Sequence, residues 1–147
     1  MSENQRKIEE VIEKDGSCMT RTGGSSMRPL FKANDAGVLI RPEREIEKYD
    51  VVLYRNEAVG KYVLHRVVKV KGDTLIIRGD NTYIKEIVPR SAIIAYMTAF
   101  VRGGKRHEVT EPSYRFYSRF WNFIYPARLV LRKLRALLGR IKRKIFK

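Results

Sequence analysis

The sequence predicts a mainly β domain. Short apolar runs rich in β-branched residues recur between turn residues from Gly37 to Val101. Helical periodicity is confined to the two ends of the chain. With 44% hydrophobic residues in 147, there is enough apolar material for one core.

Residues 3–14 place Ile8, Val11 and Ile12 at helical spacing among charges, a short amphipathic helix that Asp15-Gly16 stops. Cys18 to Thr22 approaches the next loop as an extended segment. Val38-Leu39-Ile40, bounded by Gly37 and Pro42, is a strand, and Val51 to Tyr54 is a second, introduced by Lys48-Tyr49-Asp50. Tyr62 to Val70 is a third. Lys71-Gly72-Asp73 turns the chain into Thr74 to Arg78, a hairpin. Gly79-Asp80-Asn81 is a tight turn. Ser91 to Val101 is a last apolar strand closed by Gly103-Gly104, and residues 105–110 add a short edge strand. The expected organisation is an N-terminal helix over 1–16, a β domain over 17–111, and an aromatic and basic tail over 112–147.

The net charge of +15 belongs to the tail. Residues 113–147 hold 11 Lys/Arg and no acid, whereas residues 1–112 hold 20 Lys/Arg and all 16 Asp/Glu. Nucleic-acid binding by the whole chain is therefore not what the total implies. Cys18, the single cysteine, cannot form an internal disulfide, and two distant histidines give no metal-ligand spacing. Met1 to Gly16 lacks the apolar core of a signal peptide, and no run of 18 apolar residues occurs, so a cytoplasmic body is expected.

Gly23-Gly24-Ser25-Ser26-Met27-Arg28-Pro29-Leu30 is the first stretch with chemical promise. Glycines free the backbone, Met27 anchors it, and Pro29 stiffens the exit, so that Ser26 is presented on a loop edge. The plain alternative is an ordinary Gly/Ser/Pro loop. A serine nucleophile needs a base. His65, inside the strand pattern Val63-Leu64-His65-Arg66-Val67-Val68, is the candidate, although a lone strand histidine is more often structural. A base needs an orienting acceptor. Asp80 and Glu86 both qualify, with Asp80 favoured because a turn after a strand is a firmer platform than Lys85-Glu86. Asp35 and Asp50 read as turn residues, and His107 lies in a polar stretch without a role.

These stretches together resemble the type I signal peptidase superfamily of serine peptidases, in its archaeal and endoplasmic-reticulum branch. The resemblance rests on five boxes in order: Ser26-Met27-Arg28-Pro29, Asn34-Asp35-Ala36-Gly37-Val38-Leu39, Asp50-Val51-Val52-Leu53-Tyr54, His65-Arg66-Val67 and Gly79-Asp80-Asn81. It implies a signal-peptidase or repressor-protease-like β fold and peptide-bond cleavage without a cofactor. Ser26 would be the nucleophile and His65 the base, where the bacterial branch has lysine. Asp80 would support the site, and Glu86 matches a second acid of the endoplasmic-reticulum branch. The family usually has a hydroxyl or small side chain two positions before the nucleophile. Here that residue is Gly24, which leaves the Ser26 backbone N–H as the main oxyanion donor.

In the tail, Tyr114, Phe116, Tyr117, Phe120, Trp121, Phe123 and Tyr125 crowd together before Pro126. Val130, Leu134, Leu137, Leu138, Ile141 and Ile145 then recur at helical spacing among Lys and Arg. This predicts a basic amphipathic helix, dispensable for folding, with Trp121 and Leu134 entering an anionic membrane surface. A helix packed on a partner and a nucleic-acid arm are the alternatives, the last the least favoured. The leading expectation is a serine endopeptidase that acts on a peptide or preprotein, cytoplasmic and peripheral on the membrane. A catalytically inactive binding or assembly module and a self-cleaving regulator are the alternatives.

Overall fold

A computed structural model describes residues 3–31, 36–42 and 45–145. The protein is mainly β, and the described residues form eight antiparallel strands, three α-helices and a short 3-10 helix at Arg90–Ala92. Helix α1 (Glu3–Asp15) leads into β1 (Cys18–Arg21), followed by β2 (Ala36–Pro42), β3 (Val51–Asn56), β4 (Lys61–Lys71), β5 (Thr74–Arg78), β6 (Glu86–Pro89), β7 (Ile93–Arg102) and β8 (Lys105–Glu108). Helices α2 (Pro112–Phe123) and α3 (Tyr125–Ile145) close the chain. Asp35, expected as a turn residue, and Asn34, which opens the second of the five boxes, lie outside the described residues.

The strands run in the order β1-β2-β7-β3-β4-β5-β6, and β8 adds to β7. The run Val51-Val52-Leu53-Tyr54 does not alternate because both faces of β3 are covered. Val51 and Leu53 join one buried cluster with Met27, Phe31, Val38 and Met97. Val52 and Tyr54 join the other with Val67, Leu75 and Ile77. A central strand packed on both sides reads as a continuous apolar run.

Strand β4 changes partner halfway. Lys61 to Arg66 pairs with β3, whereas Arg66 to Lys71 pairs with β5. Among the described residues, no strand pairs with the β5-facing side of β4 before Arg66. His65 sits at the point of exchange.

The tail divides into two parts. Pro112 occupies the first turn of α2, where its missing N–H leaves no helical bond unmade. Tyr114 is buried in the same cluster as Val38 and Met97, and Tyr117 packs against it. Helix α2 thus packs into the core of the body, where the sequence-based expectation was a separate tail dispensable for folding. Pro126 does not break the helical pattern. It lies in the first turn of α3, and the break between α2 and α3 falls two residues earlier, at Ile124.

Candidate active site

The Ser26 loop is fixed from both ends. Met27, Leu30 and Phe31 are buried, and the Phe31 N–H donates to the Met27 carbonyl at 3.1 Å. Arg28 N–H donates to the Ser25 carbonyl at 3.2 Å, closing a turn over the serine. From across the sheet, the Asn81 N–H donates to the Ser26 carbonyl at 2.7 Å, and the Asn81 side chain reaches the Ser25 carbonyl at 3.2 Å. Apolar anchors and the Gly79–Asn81 turn thus hold Ser26 half-buried at the loop edge. Gly24, two residues before it, has φ +79°, a conformation that strains any side chain.

Gly79 explains how the turn meets the loop. A Cβ built on it would stand 2.6 Å from the Ser26 carbonyl oxygen and 3.1 Å from both the Ser26 Cβ and the His65 Nε2. The glycine is needed for the close approach of the turn to both the Ser26 loop and the His65 ring. Gly79→Ala should push them apart. We expect a loss of about 1–3 kcal/mol in stability from overpacking, and a fall of at least about 100-fold in any reaction that uses the two side chains together, because a 1 Å displacement has that effect. Thermal melting and the chemical reactivity of Ser26 check the two parts.

His65 is buried on β4. Its Nδ1 lies 3.0 Å from the Glu86 Oε1, short of a well-aligned hydrogen bond and an ion pair only when the imidazole is protonated. Such bonds are often loose before substrate binds. The other Glu86 oxygen accepts from the Tyr54 hydroxyl at 2.6 Å and the Asn56 amide at 3.1 Å. Burial holds the His65 imidazole below its ordinary value, opposed by the charge of Glu86 and, less strongly, of Asp80. Burial and Glu86 together push the Tyr54 phenol well up, so it stays a donor.

The sequence-based preference had Asp80 orient His65, whereas the structure places the Asp80 carboxylate against Arg66 and Tyr117. Its carboxylate takes a bidentate pair from Arg66 at 2.7 and 2.8 Å and a third bond from the Tyr117 hydroxyl at 2.9 Å. Its backbone carbonyl accepts from Trp121 Nε1 at 2.8 Å and Arg128 at 3.0 Å. Arg66, fully buried, also donates to the Tyr49 carbonyl and the Tyr114 hydroxyl. Asp80 is therefore the structural anchor of the turn. Glu86 reaches the histidine because it opens β6, paired opposite Ile77 of β5.

The close approach at Gly79, Tyr54 and Asn56 are the contributions that sequence reasoning missed. Tyr54 was visible as the last residue of its box, with nothing to show that its hydroxyl would meet a carboxylate 32 residues away.

A cleft of about 280 Å³ opens beside Ser26. Its walls include Ile8, Met27, Phe31, Leu53, Tyr62 and Leu64, and one rim is the chain from Thr20 to Gly24. Helix α1 is held over it by a hydrogen bond from the Tyr62 hydroxyl to Glu9. His107 lies apart, beside Glu111 at 3.3 Å and stacked on Phe100. Among the described residues no group of His, Cys, Asp and Glu has the geometry of a metal site. Set against protein-family models, characterised proteins and solved structures, the chain matches none.

Proposed function

We propose that the chain is a serine endopeptidase of the signal-peptidase type that cleaves a peptide or preprotein. The observation that carries this reading is that Gly79 brings the Ser26 loop and the His65 ring to one point, with Glu86 against the far side of that ring and an apolar cleft beside Ser26.

In this reading an extended peptide lies in the cleft between the Thr20–Gly24 rim and the unpaired side of β4. The neutral His65 Nε2 takes the Ser26 hydroxyl proton as Oγ bonds to the scissile carbonyl carbon. The Ser26 backbone N–H stabilises the resulting oxyanion. His65 then returns the proton to the departing amine, leaving an acyl-enzyme. Water attacks that ester with His65 again as base, releasing the acid and restoring Ser26. Glu86 orients the imidazole and stabilises its protonated form, while Tyr54 and Asn56 hold the carboxylate. Nothing in this sequence calls for a cofactor. We further place the protein peripherally on the cytoplasmic face of a membrane, through the basic residues 113–147.

A fluorophosphonate probe tests the chemistry. It should label Ser26 of the native protein and fail to label a folded His65→Gln variant. Only neutral His65 can act as base, and burial keeps its pKa below the usual 6.5. Labelling should therefore persist below pH 6.5 and decline only as the lowered pKa is passed. A folded native protein that takes no label would favour the inactive binding module.

A further inference from the structure

Helices α2 and α3 form one two-faced element. Ile124 N–H donates to the Phe120 carbonyl and Arg128 N–H to the Ile124 carbonyl, both at 3.0 Å. These are i to i−4 bonds across the bend, so the two helices stay in phase. One face carries Tyr114, Tyr117, Trp121, Tyr125 and Arg128, and every one of them is bonded into the body. Beyond the bonds to Arg66 and Asp80, the Tyr125 hydroxyl donates to the Tyr83 carbonyl at 3.2 Å. Aromatic residues with a polar handle thus face inward.

The opposite face carries Phe116, Phe120 and Phe123, then Val130, Leu134, Leu138 and Ile141. At 3.6 residues per turn these fall on a single side. All are exposed, Phe123 to 82% and Phe116 to 69%, against 8% for Tyr114 and 3% for Ser118. Arg115 and Arg119 border an open hollow with the three phenylalanines and Tyr49. Arg119, Lys133, Arg135 and Lys142 flank the stripe by helical spacing, and residues 113–147 carry no acidic residue. Helix α3 alone extends about 30 Å, and no helix among the described residues is long and apolar enough to cross a membrane.

We infer that this outer face is a lipid-docking surface that lies in the plane of an anionic bilayer. Phe116, Phe120, Phe123 and the α3 leucines enter the boundary of headgroups and acyl chains. The flanking arginines and lysines bury their stems and keep their charges among the phosphates. An apolar stripe bordered by cations, with no acid in the segment, is complementary to anionic lipid. The inference rests on the peripheral placement proposed above and specifies it: Trp121, expected at the membrane, faces the protein. The inner face is bonded to the Gly79–Asn81 turn, so docking fixes the catalytic turn relative to the bilayer.

The test uses the full chain and does not involve cleavage, so it fails or succeeds separately from the peptidase reading. Vesicles of phosphatidylcholine with one third phosphatidylglycerol should bind the protein at least tenfold more tightly than pure phosphatidylcholine vesicles. High salt should weaken that binding without abolishing it. Leu134→Glu with Leu138→Glu should lower affinity more than tenfold at an unchanged melting temperature. Nitroxide-labelled lipid should leave the native Trp121 fluorescence unquenched and quench a Trp added by Phe123→Trp. Quenching of native Trp121, or equal vesicle binding by the double glutamate variant, would overturn the assignment of the face. Two other outcomes would overturn the choice of partner. One is no vesicle binding by a protein that self-associates through the stripe. The other is no vesicle binding with tight, salt-sensitive binding to RNA.

Discussion

Ser26→Ala is expected to reduce peptide cleavage by a factor on the order of 10⁴ or more, the scale at which loss of a serine nucleophile acts when the rest of the centre remains. The fold should barely register the change. The contacts that hold the loop are the Asn81 bond to the Ser26 carbonyl and the buried side chains of Met27, Leu30 and Phe31, and alanine keeps all of them. The difference in unfolding free energy should stay within about 1 kcal/mol. Ser25→Ala supplies the control. Ser25 is exposed, and it contributes a backbone carbonyl to Arg28 and Asn81 that the substitution preserves. Its activity should remain within about tenfold of the native protein, or about 1.4 kcal/mol in the barrier. Steady-state cleavage of a peptide, read beside denaturant melts of all three proteins, separates the possibilities. Inactivity of Ser25→Ala with activity in Ser26→Ala would move the nucleophile by one residue.

The strands were legible because their signals are local. Thr74 to Arg78 coincides with β5, and Val51 to Tyr54 opens β3, since β-branched runs between turn residues need no tertiary knowledge to be recognised. Two short strands escaped. Cys18–Arg21 was visible only as an extended approach, and Glu86–Pro89, charged at its start and ended by proline, is defined by its pairing with β5. The same blindness governed the site. Asp80 and Glu86 lie six residues apart in sequence, and which of them meets His65 depends on which way each side chain leaves the backbone. Arg66, adjacent to His65 on β4, points to the opposite face and takes Asp80 with it.

The tail misled for a related reason. Its periodicity implied an amphipathic helix, but seven aromatic residues were read as one set. They are two sets, sorted by polarity: Tyr114, Tyr117, Trp121 and Tyr125 find hydrogen-bond partners on the body, and Phe116, Phe120 and Phe123, which have no polar atom to satisfy, are left outside. The tendency of buried Tyr and Trp to find a partner for the O–H or N–H was the signal available for that division.

Asp80→Ala and Glu86→Gln should fail in opposite ways, the first in folding and the second in chemistry. Asp80 is 1% exposed and Arg66 is fully buried, so removal of the carboxylate strands a guanidinium in the core. Breaking one partner of a buried ion pair costs about 3–5 kcal/mol, and the Tyr117 hydroxyl loses its acceptor as well. For a domain of this size that is a large share of its total stability, and the variant should melt well below the native protein or fail to fold. Glu86→Gln keeps the shape of its side chain and an oxygen able to accept from Tyr54. Its melting temperature should change little. Its cleavage rate should fall by a factor on the order of 100 or more, because the imidazolium formed during the reaction loses its counter-charge. The pH profile identifies the cause. Glu86 raises the His65 pKa against the lowering effect of burial, so without its charge the imidazole becomes a still weaker base. The acid limb of kcat/KM in Glu86→Gln should then lie at lower pH than in the native protein, since His65 stays neutral further down the scale. A Glu86→Gln protein with the native rate and profile, beside a stable but inactive Asp80→Ala, would return the orienting role to Asp80.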